Sequence, residues 1–285
     1  MGLVLLLLIT SACRPGEDSV TAGRERDAAE SIPSSPPPPP PRFVFAVKGD
    51  WGAGTPEQAA ITQQMCRSRQ TTPFDVVVTT GDNFYRPDSL ATQTNYYGPE
   101  ACLISHPGHT WRAAWGNHDV AGDSTFRVLG AERYYRWSAG LLDFFVLDSN
   151  RAADPVQAEW LARQLEESRA AVKVAVFHHS PYTAGLHENN QDVRRLWVPL
   201  FERFGVRLVL TGHNHGYEHS VVNGIHYVVT GGGGATIYPC VGAETWLLKC
   251  LAVNHFLLVD AVGARLTVTA LDSSGGVIDA FVIRG

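Results

Sequence analysis

Short apolar runs rich in β-branched residues alternate along the chain with stretches whose apolar residues recur at helical spacing. Five runs predict strands: FVFAVKGD (43–50), FDVVVTTGD (74–82), LDFFVLDSN (142–150), VKVAVFHHSPY (172–182) and VRLVLTGHNHGYEH (206–219). Between them, residues 55–69 predict a helix with Thr55 as its N-cap, and residues 154–170 predict an amphipathic helix. Beyond residue 220 the chain is rich in Val, Ile and Gly, with turn signals that favour antiparallel strands. This order predicts an α/β fold.

Side chains that can bind a metal follow the apolar runs, at the points where strands should end. They are Asp50, Asp82, Asn117, His179 and the pair His213 and His215. Because the carboxyl ends of strands share one edge of an open α/β sheet, these side chains should converge there. Glycines beside most of them permit tight turns and close approach of the backbone.

Composition divides the chain and excludes one class of partner. Residues 1–13 (MGLVLLLLITSAC) are mostly apolar and too short to span a bilayer, so they predict an export signal. The stretch TSAC resembles a bacterial lipobox, which implies cleavage and lipidation at Cys13. Residues 14–41, which end in six consecutive prolines, predict a disordered tether.

A net charge of −5 gives no electrostatic case for nucleic-acid binding, so we expect none.

Four cysteines are left once Cys13 is assigned to lipid: Cys66, Cys102, Cys240 and Cys250. An even number in an exported chain predicts two disulfides, for which three connectivities exist. Proximity in sequence favours Cys66–Cys102 together with Cys240–Cys250. The absence of a C-x-x-C pair argues against a zinc ribbon or a redox motif.

Five short motifs follow one another: GDWG (49–52), GDNFY (81–85), GNHD (116–119), HHSPY (178–182) and GHNH (212–215). Together they resemble the calcineurin-like metallophosphoesterases, and Tyr85 makes the chain similar to a purple acid phosphatase of the small, tartrate-resistant kind. The resemblance implies a catalytic domain over 42–285. Its fold would be a four-layer α/β/β/α sandwich of two mixed sheets, with a dinuclear metal site at the C-terminal strand ends.

The resemblance also implies a role for each matching position. Asp50, Asp82, Tyr85 and His215 would bind the first metal, Asp82 would bridge to the second, and Asn117, His179 and His213 would complete the second site. Of the two adjacent histidines, His179 precedes Ser-Pro and matches the motif, so we expect His178 to point to the opposite side. Carboxylate, phenolate, imidazole and amide ligands suit Fe, Mn or Zn. An ionised tyrosine needs a strong Lewis acid, so Tyr85 predicts Fe(III), paired with Fe(II), Zn(II) or Mn(II).

These assignments predict an acid phosphatase that hydrolyses a small phosphate monoester by attack of a metal-bound hydroxide. His118 would protonate the leaving group, Asp119 would tune or orient its imidazole, and His187 would contact the substrate. The alternatives are a phosphodiesterase or nucleotidase on the same fold, and a catalytically silent, tethered binding lipoprotein. We expect a monomer that is a bacterial cell-surface or periplasmic lipoprotein, or is secreted, with membrane contact only through its lipidated N-terminus.

Structural interpretations compete at several of these positions. Gly-Asp is a common turn dipeptide, so a turn at the end of a strand would also explain Asp50 and Asp82. Tyr85 would also be explained if its ring packs against the protein and its hydroxyl lies in water. The run Gly231–Gly234 lacks the Lys-Ser/Thr of a phosphate-binding loop, so we expect a flexible loop near the mouth of the site. Glu218 and His219 are interpreted as polar residues at the surface or behind the site.

Overall fold

The computed structural model describes residues 39–86 and 88–285, so the predicted export signal and most of the predicted tether lie outside the described residues. The strands are β1 (Arg42–Lys48), β2 (Val76–Thr79), β3 (Thr110–Ala113), β4 (Tyr135–Ala139), β5 (Leu142–Val146), β6 (Val172–His179), β7 (Val206–Gly212), β8 (Tyr217–Val222), β9 (Ile225–Thr230), β10 (Leu247–Leu251), β11 (His255–Val262), β12 (Arg265–Asp272) and β13 (Val277–Arg284). The α-helices are α1 (Pro56–Thr71), α2 (Ala101–Ile104), α3 (Ser124–Arg127), α4 (Pro155–Glu167), α5 (Gln191–Leu196) and α6 (Val198–Phe204).

The strands form two mixed sheets. One has six strands in the order β13-β12-β11-β1-β2-β3, and the other has seven in the order β10-β8-β9-β7-β6-β5-β4. Strands β1, β2 and β3 run parallel, as do β5, β6, β7 and β9. The strands after residue 220 pair antiparallel as expected, apart from the parallel pairing of β9 with β7.

Alternation along the strands explains why the two sheets pack face to face. In β1, Phe45 and Val47 lie in the layer between the sheets, whereas Ala46 lies in the outer layer with residues of α1. In β5, Phe144 lies between the sheets, and Phe145 packs outward with residues of α4, α5 and α6. Each sheet is therefore apolar on both faces, and the helices cover the outer ones. The predicted four-layer α/β/β/α sandwich is confirmed.

Local signals set the starts of the two main helices. The hydroxyl of Thr55 accepts a hydrogen bond from the Gln58 N–H at the start of α1, and the Asp154 carboxylate accepts one from the Val156 N–H at the start of α4. Each cap satisfies one of the free N–H groups of the first turn, as the sequence predicts for α1.

Two disulfides cross-link the described part of the chain. Cys66 of α1 bonds Cys102 of α2, and Cys240 bonds Cys250 of β10, so the favoured connectivity is confirmed. Over residues 39–86 and 88–285, no helix combines the length and the apolar character required to cross a bilayer.

A buried ion pair lies directly behind the end of β1. The Lys48 ammonium is 2.6 Å from the Glu100 carboxylate, and both side chains are inaccessible to solvent. Glu100 also accepts hydrogen bonds from the side chains of Gln58 and Thr62, and the Lys48 ammonium lies 4.2 Å from the centre of the Trp51 ring. The pair thus joins the end of β1, two residues before Asp50, to the start of α2, and the hydrogen bonds of Glu100 extend this link to α1.

Candidate metal centre

The loops that follow β1, β2 and β7 bring a first group of donors together. The Tyr85 hydroxyl oxygen is 3.2 Å from Asp50 Oδ1 and 3.0 Å from His215 Nε2. His215 Nε2 is 3.4 Å from Asp50 Oδ1, and an Asp82 oxygen lies within 4.8 Å of donor atoms of both residues. Since Asp50 follows a strand of one sheet and His215 a strand of the other, the group lies where the carboxyl ends of the two sheets meet.

A second group lies beside the first. His178 Nε2 is 3.0 Å from Asn117 Oδ1, 3.2 Å from His213 Nδ1 and 3.4 Å from Asp82 Oδ2. Asp82 therefore stands between the two groups, in the position that a bridging carboxylate requires. The His178 Nδ1 atom is 2.9 Å from the carbonyl oxygen of Thr80, which fixes the orientation of the ring.

The expectation that His178 points away from the site is wrong. Val174 and Val176 of β6 lie between the sheets, whereas Phe177 packs outward. Alternation thus turns His178 back to the inner side, at the edge where the donors collect. The alternation along β6 predicts the orientation of His178 correctly, whereas the position of His179 before Ser-Pro did not.

His179 lies next to the second group. Its Nδ1 is 2.8 Å from the Ser149 hydroxyl, and its ring centre is 4.5 Å from that of His213. A His179 donor atom also lies within 4.8 Å of donor atoms of His178 and His213. The role of His179 as a ligand stays a prediction, and His178 competes with it for that role.

Three of the donor residues have backbone conformations that are unfavourable for residues other than glycine. Asp50, Asp82 and His213 have positive φ angles of 56°, 50° and 71°, in the left-handed region that non-glycine residues seldom adopt. A Cβ at Gly116 would collide with the Asp82 carboxylate, and one at Gly212 would collide with that of Asp50. The space that these glycines leave is filled by the carboxylates.

The glycine run also serves this packing. All four residues of Gly231–Gly234 are buried, and the Gly233 N–H donates to the Gly49 carbonyl at 2.9 Å. A Cβ at Gly231 would crowd Asp50 Oδ2. The prediction of a flexible loop at the mouth of the site is therefore wrong, because the run packs behind Asp50.

Electrostatics indicate which donors need a cation. Burial, reinforced by the charges of Asp50 and Asp82, raises the pKa of Tyr85 well above its ordinary value, so the phenol ionises only when a strong Lewis acid replaces its proton. Burial lowers the pKa of His213 to about 2, which keeps its imidazole neutral and able to donate a lone pair. Donor separations near 3 Å are also those expected around one cation with bonds of about 2 Å. The donor set fits two metal ions.

His118 and Asp119 occupy different surroundings although they are adjacent. The His118 side chain is half-exposed, with Nε2 4.0 Å from Asp82 Oδ2 and its ring centre 4.4 Å from that of Tyr85. The Asp119 carboxylate is buried and accepts hydrogen bonds from the main-chain N–H groups of Asn83, Phe84 and Gly116. The structure thus brings His118 to the open side of the centre, whereas the Asp119 carboxylate is taken up by main-chain N–H groups. That Asp119 tunes or orients the imidazole stays a prediction. Asp119 joins the loop of Asp82 to the turn before Asn117.

Several residues of the site were missed by sequence reasoning. Ser149 binds His179 Nδ1 and also accepts from the main-chain N–H of His178, the carbonyl of Thr236 accepts from His215 Nδ1 at 2.7 Å, and the Tyr238 ring stacks on His215 at 4.1 Å. Ser149 follows the strand LDFFV, so the rule that found the other donors, a polar residue at a strand end, also applied to it. Thr236 and Tyr238 lie in a loop without such a signal.

Comparison with known protein families agrees with the geometry. The family model described as calcineurin-like phosphoesterase matches residues 43–217. Purple acid phosphatase 7 of Arabidopsis thaliana is 28% identical over 229 residues, which span 67% of this chain and 70% of that protein. Purple acid phosphatase 3 of the same plant is 30% identical over 66% of this chain and 62% of its own length. Human tartrate-resistant acid phosphatase type 5 is 22% identical over 86% of this chain and 91% of its own.

Solved structures share the fold. A purple acid phosphatase from yellow lupin (Lupinus luteus) seeds superposes with a TM-score of 0.71 at 18% identity, covering 86% of this chain and 54% of the lupin chain. GAP50, described as the anchor in the inner membrane complex of Plasmodium, superposes with a TM-score of 0.74 at 17% identity, covering 85% of this chain and 89% of its own.

Proposed function

Because the chain belongs to the calcineurin-like phosphoesterase family, we propose that it is a metal-dependent acid phosphatase that hydrolyses small phosphate monoesters at a dinuclear centre. One observation carries the proposal. The Tyr85 hydroxyl lies 3.0 Å from His215 Nε2 and 3.2 Å from Asp50 Oδ1, among donors that suit a metal. A phenol held there would be a ligand for a ferric ion, as the resemblance to purple acid phosphatases implies.

Two sets of donors would hold the cations. Asp50, Asp82, Tyr85 and His215 would hold one, and Asp82, Asn117, His178 and His213 would hold the other. We propose Fe(III) beside Tyr85 and Fe(II), Zn(II) or Mn(II) in the second site. When bound, the cations would lower the pKa of a coordinated water and neutralise the oxygens of the phosphoryl group.

The surrounding side chains would bind the substrate and move its proton. His118 is half-exposed beside Asp82, and its main-chain N–H donates to Asp82 Oδ1 at 2.8 Å, which fixes its position relative to the centre. From there its imidazole would donate a proton to the oxygen of the leaving alcohol. His187, whose ring centre is 3.9 Å from that of His213, would contact the phosphate ester from the other side of the second group.

The test is spectroscopic. Oxidised protein loaded with iron should absorb visible light through charge transfer from the Tyr85 phenolate, and Tyr85→Phe should abolish the band while Tyr97→Phe, at an exposed tyrosine, should leave it unchanged. A colourless protein that nevertheless binds two irons per chain would overturn the assignment of Tyr85. On substrates, p-nitrophenyl phosphate should be cleaved in preference to its bis ester, and the reverse preference would favour the phosphodiesterase alternative.

The two disulfides, and not the related proteins, support our proposal that the chain is exported. Two disulfides persist in an oxidising compartment, which favours a location outside the cytosol. Lipidation at Cys13, a monomeric state, membrane contact only through the lipid and the lack of nucleic-acid binding stay predictions. Mass spectrometry of the full chain from membranes tests the lipid, and light scattering tests the monomer.

A further inference from the structure

We propose that Glu218 and Asn214 are positioning residues that hold the His187 loop (residues 183–187) against the metal centre. The inference rests on the proposed function, because the position of His187 affects turnover only if the substrate binds at this centre. Neither residue belongs to the two groups of metal donors.

Glu218 fixes the start of the His187 loop. Its side chain is buried, and its carboxylate accepts a hydrogen bond from the Thr183 hydroxyl at 2.8 Å and one from the Ala184 N–H at 2.6 Å. Burial raises the pKa of Glu218, whereas these hydrogen bonds oppose that rise by favouring the ionised form. Glu218 was expected at the surface or behind the site, and its burial beside the loop was not evident from the sequence.

Asn214 fixes the end of the same loop. Its Oδ1 accepts from the His187 N–H at 2.8 Å, and its Nδ2 donates to the His187 carbonyl at 3.1 Å and to the Thr183 hydroxyl at 2.6 Å. Asn214 lies between His213 and His215 in the chain, so it links the loop directly to the metal-binding turn. The result is the stacking of the His187 ring on His213, with ring centres 3.9 Å apart and planes 25° apart.

The direction of the hydrogen bonds makes the carboxylate necessary. The Thr183 hydroxyl oxygen accepts from the Asn214 side chain at 2.6 Å and from the Gly185 N–H at 3.3 Å, which occupies both of its lone pairs, so it can only donate to Glu218. The Ala184 N–H also donates to Glu218, which must therefore accept twice. A glutamine offers one acceptor and one donor, so in either orientation it leaves one of these contacts unmade.

Glu218→Gln tests this, with Glu188→Gln as a matched control, since Glu188 lies just past the loop and is exposed. For p-nitrophenyl phosphate, we expect Glu218→Gln to raise KM about tenfold with a smaller change in kcat, the scale of one lost charged hydrogen bond. In a His187→Ala background the same change should have no further effect. Additive losses in the double variant would overturn the proposal, because Glu218 would then act on the reaction by another route.

A second measurement does not depend on turnover. In metal-free protein, the main-chain amides of Ala184 and His187 should exchange hydrogen faster in Glu218→Gln and at the wild-type rate in Glu188→Gln. If wild-type protein hydrolyses no phosphate ester, the proposed function fails and exchange alone decides; unchanged protection in Glu218→Gln would overturn the positioning role. Should Glu218→Gln not fold, Thr183→Val removes the hydroxyl shared by Glu218 and Asn214 and takes its place in both experiments.

Discussion

Replacing His178 by alanine should release the second cation, whereas replacing His179 should leave it bound. His178 Nε2 lies 3.0 Å from Asn117 Oδ1, 3.2 Å from His213 Nδ1 and 3.4 Å from Asp82 Oδ2, so it faces three other donors. His179 has its Nδ1 occupied by the Ser149 hydroxyl at 2.8 Å. The two variants remove the same side chain from adjacent positions, so each is the control for the other.

The size of the effect follows from the number of donors each imidazole faces. Removing a residue that only supports a ligand costs about 10–100-fold in metal affinity. A direct ligand should cost at least the upper end of that range, so His178→Ala should weaken the second cation by about 100-fold or more, roughly 2.7 kcal/mol. His179→Ala should weaken the second cation by no more than about tenfold, the lower end of that range.

Metal content after dialysis, and calorimetric titration of metal-free protein with Zn(II), measure both effects. We expect wild type and His179→Ala to retain two metal ions per chain and His178→Ala to retain one. Loss of the second ion in His179→Ala together with its retention in His178→Ala would refute the structural assignment. The residue before Ser-Pro would then be the ligand.

Three further predictions concern catalysis, the ion pair behind the site and acid stability. His118→Ala should lower kcat by about 10²–10⁴-fold for an alkyl phosphate, yet little for p-nitrophenyl phosphate, whose leaving group needs no proton; equal losses on both substrates would contradict a role as acid. Lys48→Met should destabilise metal-free protein in urea by about 3–5 kcal/mol because it leaves the Glu100 charge buried and unpaired. The double variant Lys48→Met/Glu100→Leu should recover most of that loss. A Lys48→Met variant as stable as wild type would contradict the role of the ion pair. Burial lowers the pKa of His255 from 6.5 to about 4, so its stabilising contribution is complete above pH 6.5 and is lost as the pH falls towards 4. Between pH 7 and pH 4, the free energy of unfolding in urea should therefore fall by about 3 kcal/mol less in His255→Gln than in wild type. Equal decreases in the two proteins would contradict the lowered pKa of His255.

Much of the fold follows from local sequence signals. Strand alternation, the Thr55 cap and the order of apolar runs depend on neighbouring residues, so they predict the layers without knowledge of distant contacts. The disulfide Cys240–Cys250 closes a short loop, which is why proximity in sequence was a sufficient guide. The donors at strand ends converge because parallel strands of both sheets end at one edge.

The details of the site depend on packing between distant segments, and there the sequence was insufficient. The orientation of His178 depends on which face of β6 lies between the sheets, and the motif match predicted the opposite orientation. Asp119 accepts from Asn83 and Phe84, more than 30 positions away, so its partners cannot be read from its neighbours. Glu218 reaches Thr183 across 35 positions for the same reason.

The central claim is that the converging donors hold two cations that together hydrolyse phosphate monoesters. It is tested most directly by loading metal-free protein with one equivalent of Fe(III), titrating with Zn(II), and following p-nitrophenyl phosphate hydrolysis against bound metal. We predict that the rate rises with bound Zn(II) and reaches its plateau at one Fe(III) and one Zn(II) per chain. Full activity with fewer than two ions per chain, or two bound ions without hydrolysis, would contradict the claim.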